Sequence, residues 1–346
     1  MTAPTMDAPL TGRRVTPTGR LILPATADRL VWLEARRRGI GSSDLAAILG
    51  LSAYGNELTV YHDKRGTLPL ETDDSEPAYW GRANEGNVAD RWTMANRTVT
   101  RRVGLIANID RPWQMCTLDR RVLQCPLPAH ETEKCALEIK CRSAFKAPMW
   151  RKGVPDDVLA QVLWQMDTCG FDHLHVGLLI GGNDYRHFVV YRSEHEQLVL
   201  DLRAAAEDLW NGIVAGRPPV LTGSEEPGPL LDLYRRLHPD REGLIRLDRD
   251  FDAQNAMHDY VAAANAERDA KKAKGQAKAA LVGALGPNAA AYAGDKPFFS
   301  LEPTSKEWCD IKKLAEYYPD AYAACVEDRP SDRLTIPAAI RKEYSA

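Results

Sequence analysis

The sequence predicts an α/β fold with a mixed central sheet flanked by helices. Two helical segments come first, followed by strands, a helix, a strand hairpin and an amphipathic helix over residues 194–215. Since a common domain has about 150 residues, the 346 residues of the chain suggest about two domains. The Pro-rich segment that starts at Gly216 is the clearest linker. We expect a core over 29–219 and a mainly helical C-terminal region, with a short β-hairpin, over 220–346.

The composition narrows the classes of function. Hydrophobic residues make up 44% of the chain and charged residues 27%, as in ordinary globular proteins. The net charge of −3 excludes a uniformly basic nucleic-acid coat, so a DNA contact needs a local cluster such as Arg36-Arg37-Arg38. No apolar stretch approaches the roughly 18 residues that span a bilayer, and the N-terminus has no apolar signal core. We expect a cytoplasmic protein without a membrane partner.

The cysteines predict reduced thiols. Their number, seven, is odd, and they are scattered through predicted strands and helices. Cys125, His130, Cys135 and Cys141 lie within one short span, but their spacing matches no common zinc pattern. Free thiols in a hairpin loop are the favoured interpretation, and a structural metal is the alternative.

The N-terminal part combines a predicted tail with a predicted phosphate-binding turn. Residues 1–28 are rich in Thr, Pro and Arg without periodicity, which is typical of a flexible tail. After a helix over 29–38, the residues Gly41-Ser42-Ser43-Asp44 precede an apolar run that ends at Gly50. Ser43 is a predicted N-cap, and the free backbone N–H groups at such a helix start bind phosphate well. An ordinary capped helix is the alternative.

A second helix is predicted over residues 82–95. Glu85, Ala89 and Trp92 recur at the spacing of one helix face, and this face is otherwise apolar. A carboxylate on a buried stripe needs a partner. A metal-bound water would serve, and a salt bridge to an arginine is the alternative.

The segments 103–123 and 136–142 are predicted strands, and they carry the most informative residues. In the run Leu137-Glu138-Ile139-Lys140, alternate side chains share a face, so Glu138 and Lys140 point the same way. Asp119 on a neighbouring strand completes a patch of two carboxylates and one ammonium. Carboxylates held so close repel each other unless a divalent cation lies between them, and such a patch suits phosphodiester cleavage. A surface strand with a salt-bridged pair is the alternative.

The remaining segments complete the predicted fold. A helix over 158–169 carries Gln161 and Gln165 on one face, and a hairpin follows over 175–192. Beyond the linker, the sequence predicts a long Ala-rich helix over 250–285, a hairpin over 290–302 and a helix near 308–324. The lysines of the long helix indicate a solvated face rather than a DNA site.

Taken in order, these segments resemble the YqaJ-like viral recombinases, phage nucleases akin to lambda exonuclease within the PD-(D/E)XK superfamily. The likeness runs over about residues 30–219. The matching segments are residues 39–50, Trp80-Gly81-Arg82 with Glu85, Leu118-Asp119, Leu137-Glu138-Ile139-Lys140, Gln161-Val162 with Gln165-Met166, and Leu179-Ile180-Gly181-Gly182.

The resemblance implies a role for each candidate residue. Asp119 and Glu138 would ligate Mg2+, for which Mn2+ can substitute, with the carbonyl of Ile139 as a third ligand and Glu85 bound directly or through water. Lys140 would orient the attacking water and offset charge, and Gln161 would position that water or Lys140. Ser43 or the adjacent Ser42, with Arg37 or Arg38, would hold a 5′-phosphate. No ATP is implied, because the chain lacks a G-x-x-x-x-G-K-[ST] loop.

The expected function is that of a metal-dependent exonuclease for linear double-stranded DNA. It would degrade one strand 5′→3′ and leave a 3′ single-stranded tail. By resemblance, the expected partners are a phage single-strand annealing protein and further copies of the chain, in a trimeric ring. A restriction-like endonuclease of the same superfamily and a non-catalytic DNA-end-binding module are the alternatives.

Overall fold

The computed structural model describes residues 12–70, 75–127, 135–327 and 333–344. The first eleven residues of the predicted tail, and His130 of the cysteine-rich span, lie outside the described residues. The chain forms two compact units, Met1–Arg241 and Glu242–Ala346.

The strands of the first unit belong to two sheets. They are β1 (Gly19–Leu23), β2 (Thr100–Arg101), β3 (Leu105–Asn108), β4 (Met115–Thr117), β5 (Arg120–Val122), β6 (Cys135–Arg142), β7 (His173–Ile180) and β8 (Asp184–Tyr191). The helices are α1 (Arg29–Arg36), α2 (Leu45–Ile48), α3 (Glu57–Lys64), α4 (Glu76–Asn96), α5 (Asp156–Cys169), α6 (Glu196–Ala215) and α7 (Pro227–Leu237).

The larger sheet has the strand order β2-β5-β6-β7-β8. β6 and β7 are parallel, and the other neighbouring pairs are antiparallel. A parallel pair needs a crossover connection, which α5 provides between β6 and β7. Helices flank this mixed sheet, so the predicted α/β class with a mixed central sheet flanked by helices is confirmed.

The two faces of β6 meet different helices. Leu137 and Ile139 pack in one buried cluster with Trp92 of α4. Ala136, on the other face, packs in the core that includes α5. Because strand residues alternate, Glu138 and Lys140 share the face of Ala136. The prediction that Leu137 and Ile139 point into a core is confirmed.

β1 lies within the segment that was predicted to be a tail. It pairs antiparallel with β3, with Gly19 opposite Asn108, in a sheet ordered β1-β3-β4. The predicted tail over 1–28 is corrected here, since residues 19–23 form a strand. The apolar run Leu21-Ile22-Leu23 is short and sits among Thr, Pro and Arg residues, and its partner strand is distant in sequence.

The second unit is mainly helical. α8 (Phe251–Leu285) precedes a hairpin of β9 (Ala290–Ala293) and β10 (Lys296–Ser300). The predicted helix near 308–324 is divided into α9 (Ile311–Tyr317) and α10 (Pro319–Cys325), because Pro319 has no N–H to continue the first helix. α11 (Ala338–Glu343) follows. None of the helices in the described ranges combines the length and apolarity that a bilayer span requires.

The first compact unit extends beyond the predicted linker. Helix α7 follows Gly216-Arg217-Pro218-Pro219 and buries Leu233 in the main core of this unit. Neither α7 nor α3 was expected from the sequence. The amphipathic character of α7 is carried by a few leucines directly after a Pro-rich stretch, which masked it.

Candidate active site

The bend between β4 and β5 places Asp119 against the middle of β6. Oδ2 of Asp119 accepts a hydrogen bond from the backbone N–H of Ile139, at 2.7 Å. The N–H and C=O of a strand residue point to the same side, so the carbonyl of Ile139 also lies on this edge of β6. Two of the predicted oxygen donors are therefore neighbours.

Glu138 is a buried carboxylate with donors on both oxygens. Only 3% of the residue is exposed. Oε1 accepts from Nζ of Lys140 at 2.6 Å and from Nε2 of Gln161 at 2.6 Å. Oε2 accepts from Nε2 of Gln165 at 2.7 Å. These three donors compensate for the loss of water around the buried charge.

Gln161 connects the carboxylate to the lysine. Its Oε1 accepts from Nζ of Lys140 at 2.7 Å, while its amide nitrogen donates to Glu138. The structure thus brings three predicted site residues, Glu138, Lys140 and Gln161, into one hydrogen-bonded network. The expected role of Gln161, positioning the attacking water or Lys140, stays a prediction.

Gln165 completes this network, although it was not among the predicted site residues. It is fully buried one helical turn after Gln161, and Nε2 also donates to the carbonyl of Thr117 at 3.0 Å. A glutamine in the middle of an apolar helix was a usable signal. Gln165 holds Glu138 from the side opposite Lys140.

Glu85 is placed near the same site but already has a charged partner. Its Oε1 forms an ion pair with Nη1 of Arg120, and Arg102 lies 4.0 Å away. The arginine salt bridge was the alternative stated for Glu85. Nη1 of Arg120 also donates to the carbonyl of Asp119 at 2.6 Å, so Arg120 links the two acidic residues. Arg120 was missed as a site residue.

The electrostatics of the site favour a bound cation. Burial raises the pKa of Asp119 well above its usual range, and the negative charges of Glu138 and Glu85 add to this effect. Lys140 and the Ile139 amide oppose it without cancelling it. A divalent cation beside Asp119 would relieve the repulsion between these carboxylates.

The donor set fits a hard cation. Asp119, Glu138 and the Ile139 carbonyl are oxygen donors, which suit Mg2+ or Mn2+ better than zinc. The fit rests on donor chemistry and on the excess of negative charge around Asp119.

Part of this site lines a cleft of about 440 Å3. Asp119, Glu85 and Gln161 line it together with Ser42 and Ser43. Arginines also line it, and these are Arg29, Arg36, Arg82 and Arg102. In a chain with a net charge of −3, this is a local concentration of positive charge.

The comparisons relate this region to one family. Residues 31–172 match the family model of the YqaJ-like viral recombinase domain. This region is therefore similar in sequence to YqaJ-like viral recombinase domains. The chain is also 26% identical over 305 residues to the uncharacterized protein YqaJ of Bacillus subtilis (strain 168), across 84% of this chain and 88% of that protein.

Two solved structures resemble the chain more distantly. The alkaline exonuclease LHK-Exo from Laribacter hongkongensis is 16% identical, with a TM-score of 0.45 over 54% of this chain and 93% of that one. A phage related exonuclease from Haemophilus somnus 129PT is 11% identical, with a TM-score of 0.36 over 51% of this chain and 96% of that one. The likeness to the YqaJ-like viral recombinase domain does not depend on them.

The turn before α2 differs from its prediction. Ser42–Asp44 forms a 3-10 turn, and the Asp44 carboxylate accepts from the N–H of Gly41 at 2.7 Å. Ser43 lies inside this turn and is not the predicted N-cap. α2 has a single turn of four residues, so a helix-end effect on phosphate is small.

The arginine that reaches the cleft is Arg36. Its Nη2 donates to Oγ of Ser43 at 2.6 Å and to the Asp44 carboxylate at 3.1 Å. Arg37 is instead buried, and its Nη2 donates to the carbonyl of Leu68 at 2.6 Å. The predicted phosphate role of Arg37 is corrected on this ground, and Arg38 does not line the cleft either. Successive helical residues are rotated by about 100°, so neighbouring arginines cannot share one direction.

Asp44 fixes the serine turn before α2. Oδ2 lies 2.7 Å from Nζ of Lys64, which is fully buried. Burial alone would raise the pKa of Asp44, but the charges of Lys64 and Arg36 outweigh it and hold the pKa below its usual value. A charged Asp44 therefore keeps Arg36 and Ser43 together at the cleft.

Proposed function

We propose that this protein is a metal-dependent deoxyribonuclease that degrades linear double-stranded DNA from its ends. We assign the activity to residues 29–219. The observation that carries the proposal is the network of Glu138, Lys140 and Gln161 beside Asp119. Of these groups, Asp119 and Gln161 line an arginine-bearing cleft, and hydrogen bonds join Gln161 to Glu138 and Lys140.

The residues of the site match the needs of phosphodiester hydrolysis. Asp119, Glu138 and the Ile139 carbonyl would hold Mg2+ or Mn2+, with Glu85 able to contribute through water. The bound cation would act as a Lewis acid that offsets the charge of the phosphate. Lys140 is held by two hydrogen bonds and presents an ammonium group, which stabilises the negative charge that develops on the phosphate oxygens.

The arginines of the cleft supply binding rather than sequence recognition. Phosphate contacts from Arg and Lys give affinity that does not depend on sequence. Arg29, Arg36, Arg82 and Arg102 line the cleft together with the acidic residues, so they would hold the backbone beside the reacting groups. This arrangement suits a nuclease that acts on DNA of any sequence.

We propose further that Ser43, Ser42 and Arg36 hold a terminal 5′-phosphate. Arg36 already donates to Ser43, and a guanidinium beside a hydroxyl matches the donors that phosphate prefers. Digestion would then run 5′→3′ and leave a 3′ single-stranded tail. Such a tail suits the recombinase role in the name of the family, and a single-strand annealing protein would be the partner that uses it. We propose that the protein acts in the cytoplasm as a ring of identical subunits around DNA.

The test compares DNA topologies. Full-length protein is incubated with Mg2+ and either a linear duplex labelled at both ends or a covalently closed plasmid. We expect nucleotide release from the linear DNA and an intact plasmid, and we expect no release with EDTA or with Glu138→Gln. Glu194→Gln, which changes an exposed glutamate, is the matched control and should keep full activity. A cut plasmid would indicate the endonuclease alternative, and binding without release would indicate the end-binding module.

A further inference from the structure

A second group of metal-ligating side chains lies in the same unit, distinct from the carboxylate site. It consists of Cys125, Cys135, His173 and His175, and we name it the Cys2His2 cluster. One ligand atom from each residue lies within 4.8 Å of the others. Sγ of Cys125 lies 3.1 Å from Nε2 of His173 and 3.7 Å from Nε2 of His175. The four donors converge on one point.

The sheet brings these residues together. Residues i and i+2 of a strand share a face, so His173 and His175 project from the same side of β7. The parallel register places Leu137 opposite His175, and Cys135 and His173 each lie two residues earlier on their strands. Cys125 follows β5, the other neighbour of β6. The convergence is thus a consequence of strand order and register.

The cluster lies on the opposite face of β6 from Glu138. Cys135 packs with Leu137 and Ile139 in the cluster beneath α4, whereas Glu138 lies on the face toward α5. The two sites therefore share a strand but not a face. They also differ in donor chemistry, since one offers oxygen and the other offers sulfur and nitrogen.

Burial and second contacts support a ligand role. Cys135, His173 and His175 are at most 1% exposed, an unusual setting for two imidazoles and two thiols in contact. Nδ1 of His175 lies 3.1 Å from Nε2 of His187, and the ring of Trp92 packs 4.9 Å from that of His175. A histidine that binds a metal through one nitrogen is commonly held through the other in this way.

We propose that the Cys2His2 cluster binds one Zn2+ ion as a structural site. Two thiolates and two imidazoles are a tetrahedral zinc donor set, and four protein ligands leave no position for catalysis. Tetrahedral bonds of about 2.3 Å to sulfur and about 2.0 Å to nitrogen place the donors about 3.3–3.8 Å apart. The observed separations, 3.1 Å and 3.7 Å for Cys125 with the two histidines and at most 4.8 Å within the cluster, need only small shifts to reach this range. A two-iron cluster would hold the sulfur and nitrogen pairs on different irons and farther apart.

The zinc would stabilise the strand that carries the carboxylate site. It would tie Cys125, which follows β5, to the start of β6 and to β7. Glu138 lies three positions after Cys135, on the same strand. The proposal does not depend on the nuclease assignment, since a metal count measures it without any DNA.

The first test counts metal in the full-length protein. Wild type purified from zinc-supplemented medium is expected to contain about one zinc per chain by plasma mass spectrometry. Cys135→Ser and His175→Ala should lower the zinc content at least about tenfold, following the loss of one of four ligands. Cys141→Ser, on the same strand but outside the cluster, is the matched control and should keep its zinc.

A second test uses wild-type protein alone, so it does not depend on the folding of a variant. Titration with a mercurial reagent should release the zinc as the thiols react, detected with 4-(2-pyridylazo)resorcinol. Protein loaded with Co2+ should show the visible absorption of a tetrahedral site with thiolate ligands. Wild type without zinc, iron in its place, or full zinc content in both variants would overturn the proposal.

Discussion

Nζ of Lys140 lies 2.6 Å from Oε1 of Glu138, and the two residues are alternate positions on one face of β6. Because a strand fixes this spacing, the lysine and the carboxylate are oriented before any substrate arrives. Gln161 adds a second contact to each of them from α5. A site built on regular elements in this way holds its geometry better than one built on loops.

Replacing the lysine tests its role in the reaction. Lys140→Ala is expected to lower the rate of DNA hydrolysis at least about a hundredfold, because the charge that stabilises the transition state is lost. DNA binding, measured by fluorescence anisotropy in Ca2+, should change little. Lys152→Ala removes an exposed lysine and serves as the control. Activity near the wild-type rate in Lys140→Ala would remove Lys140 from the mechanism.

The two glutamines are expected to separate catalysis from stability. Gln161→Leu should slow hydrolysis with little change in the urea midpoint, because Gln161 is only partly buried and positions Lys140. Gln165→Leu should destabilise the fold by about 1–3 kcal/mol, since it leaves Oε2 of Glu138 and the Thr117 carbonyl without this donor. Gln197→Leu, at an exposed position, is the control for both measurements. If Gln161→Leu and Gln165→Leu changed the rate of hydrolysis equally and the urea midpoint equally, the separate roles of the two glutamines would be contradicted.

The raised pKa of Asp119 predicts a link between metal and stability. Metal-free protein gains stability from Asp119 at low pH and loses it as pH rises through the raised pKa. At pH 8, Asp119→Asn without metal should therefore melt at or above the wild-type Tm. Added Mg2+ at a hundred times its Kd should stabilise wild type by about 2.7 kcal/mol but leave the variant unchanged. Calorimetry with and without Mg2+ measures both effects, and equal stabilisation of the two proteins would place the cation elsewhere.

Asp167 predicts sensitivity to acid. Burial would raise its pKa, but hydrogen bonds from Arg203, Gln114 and Arg192 outweigh this and lower the pKa. A lowered pKa contributes stability above the usual carboxyl value, near pH 4, and that contribution is lost as pH falls further. Asp167→Asn should cost about 3–5 kcal/mol at pH 7, because it breaks buried ion pairs. Urea titrations should show that the difference in free energy of unfolding between wild type and Asp167→Asn is smaller at pH 3 than at pH 7. The control Asp172→Asn, at an exposed position, should unfold like wild type at both pH values.

Arg36 and Ser43 are expected to set the preference for a 5′-phosphate. Wild type should digest a 5′-phosphorylated duplex faster than a 5′-hydroxyl duplex, and Ser43→Ala and Arg36→Gln should reduce the ratio of the two rates. The control is Arg38→Gln, which changes an arginine that lies two residues after Arg36 and does not line the cleft, and it should keep the ratio of the two rates. Melting curves check that Arg36→Gln still folds, since Arg36 also pairs with Asp44. A wild-type ratio near one would contradict the anchor.

The sequence predicted the directions of side chains best where those directions follow from local periodicity. The alternation of residues in β6 predicted that Glu138 and Lys140 share one face of that strand. The spacing of four residues in α5 predicted that Gln161 and Gln165 share one face of that helix. Both elements are long and regular, so neighbouring residues determined the direction of each side chain. Asp119 was predicted differently, as a residue of a neighbouring strand and from the family resemblance, and its hydrogen bond to the N–H of Ile139 places it beside β6.

Features that depend on distant pairing were not predictable. Cys125 and Cys135 were noticed as a local group, but their histidine neighbours are contributed by β7 through the parallel register. Strand β1 needed β3 as a partner, and the choice of Arg36 over Arg37 depended on how α1 is rotated against the cleft. Long-range pairing and helix rotation leave no periodic signal in the local sequence.

The parallel pairing of β6 and β7 also has a consequence for synthesis on the ribosome. β6 cannot acquire its β7 neighbour until α5 and β7 have left the exit tunnel, because both follow it in the chain. A product that stops within α5 would leave one edge of β6 unpaired, and an unpaired strand edge is a template for aggregation. Nascent chains ending before Ile180 should therefore depend on chaperones more strongly than chains that extend past it.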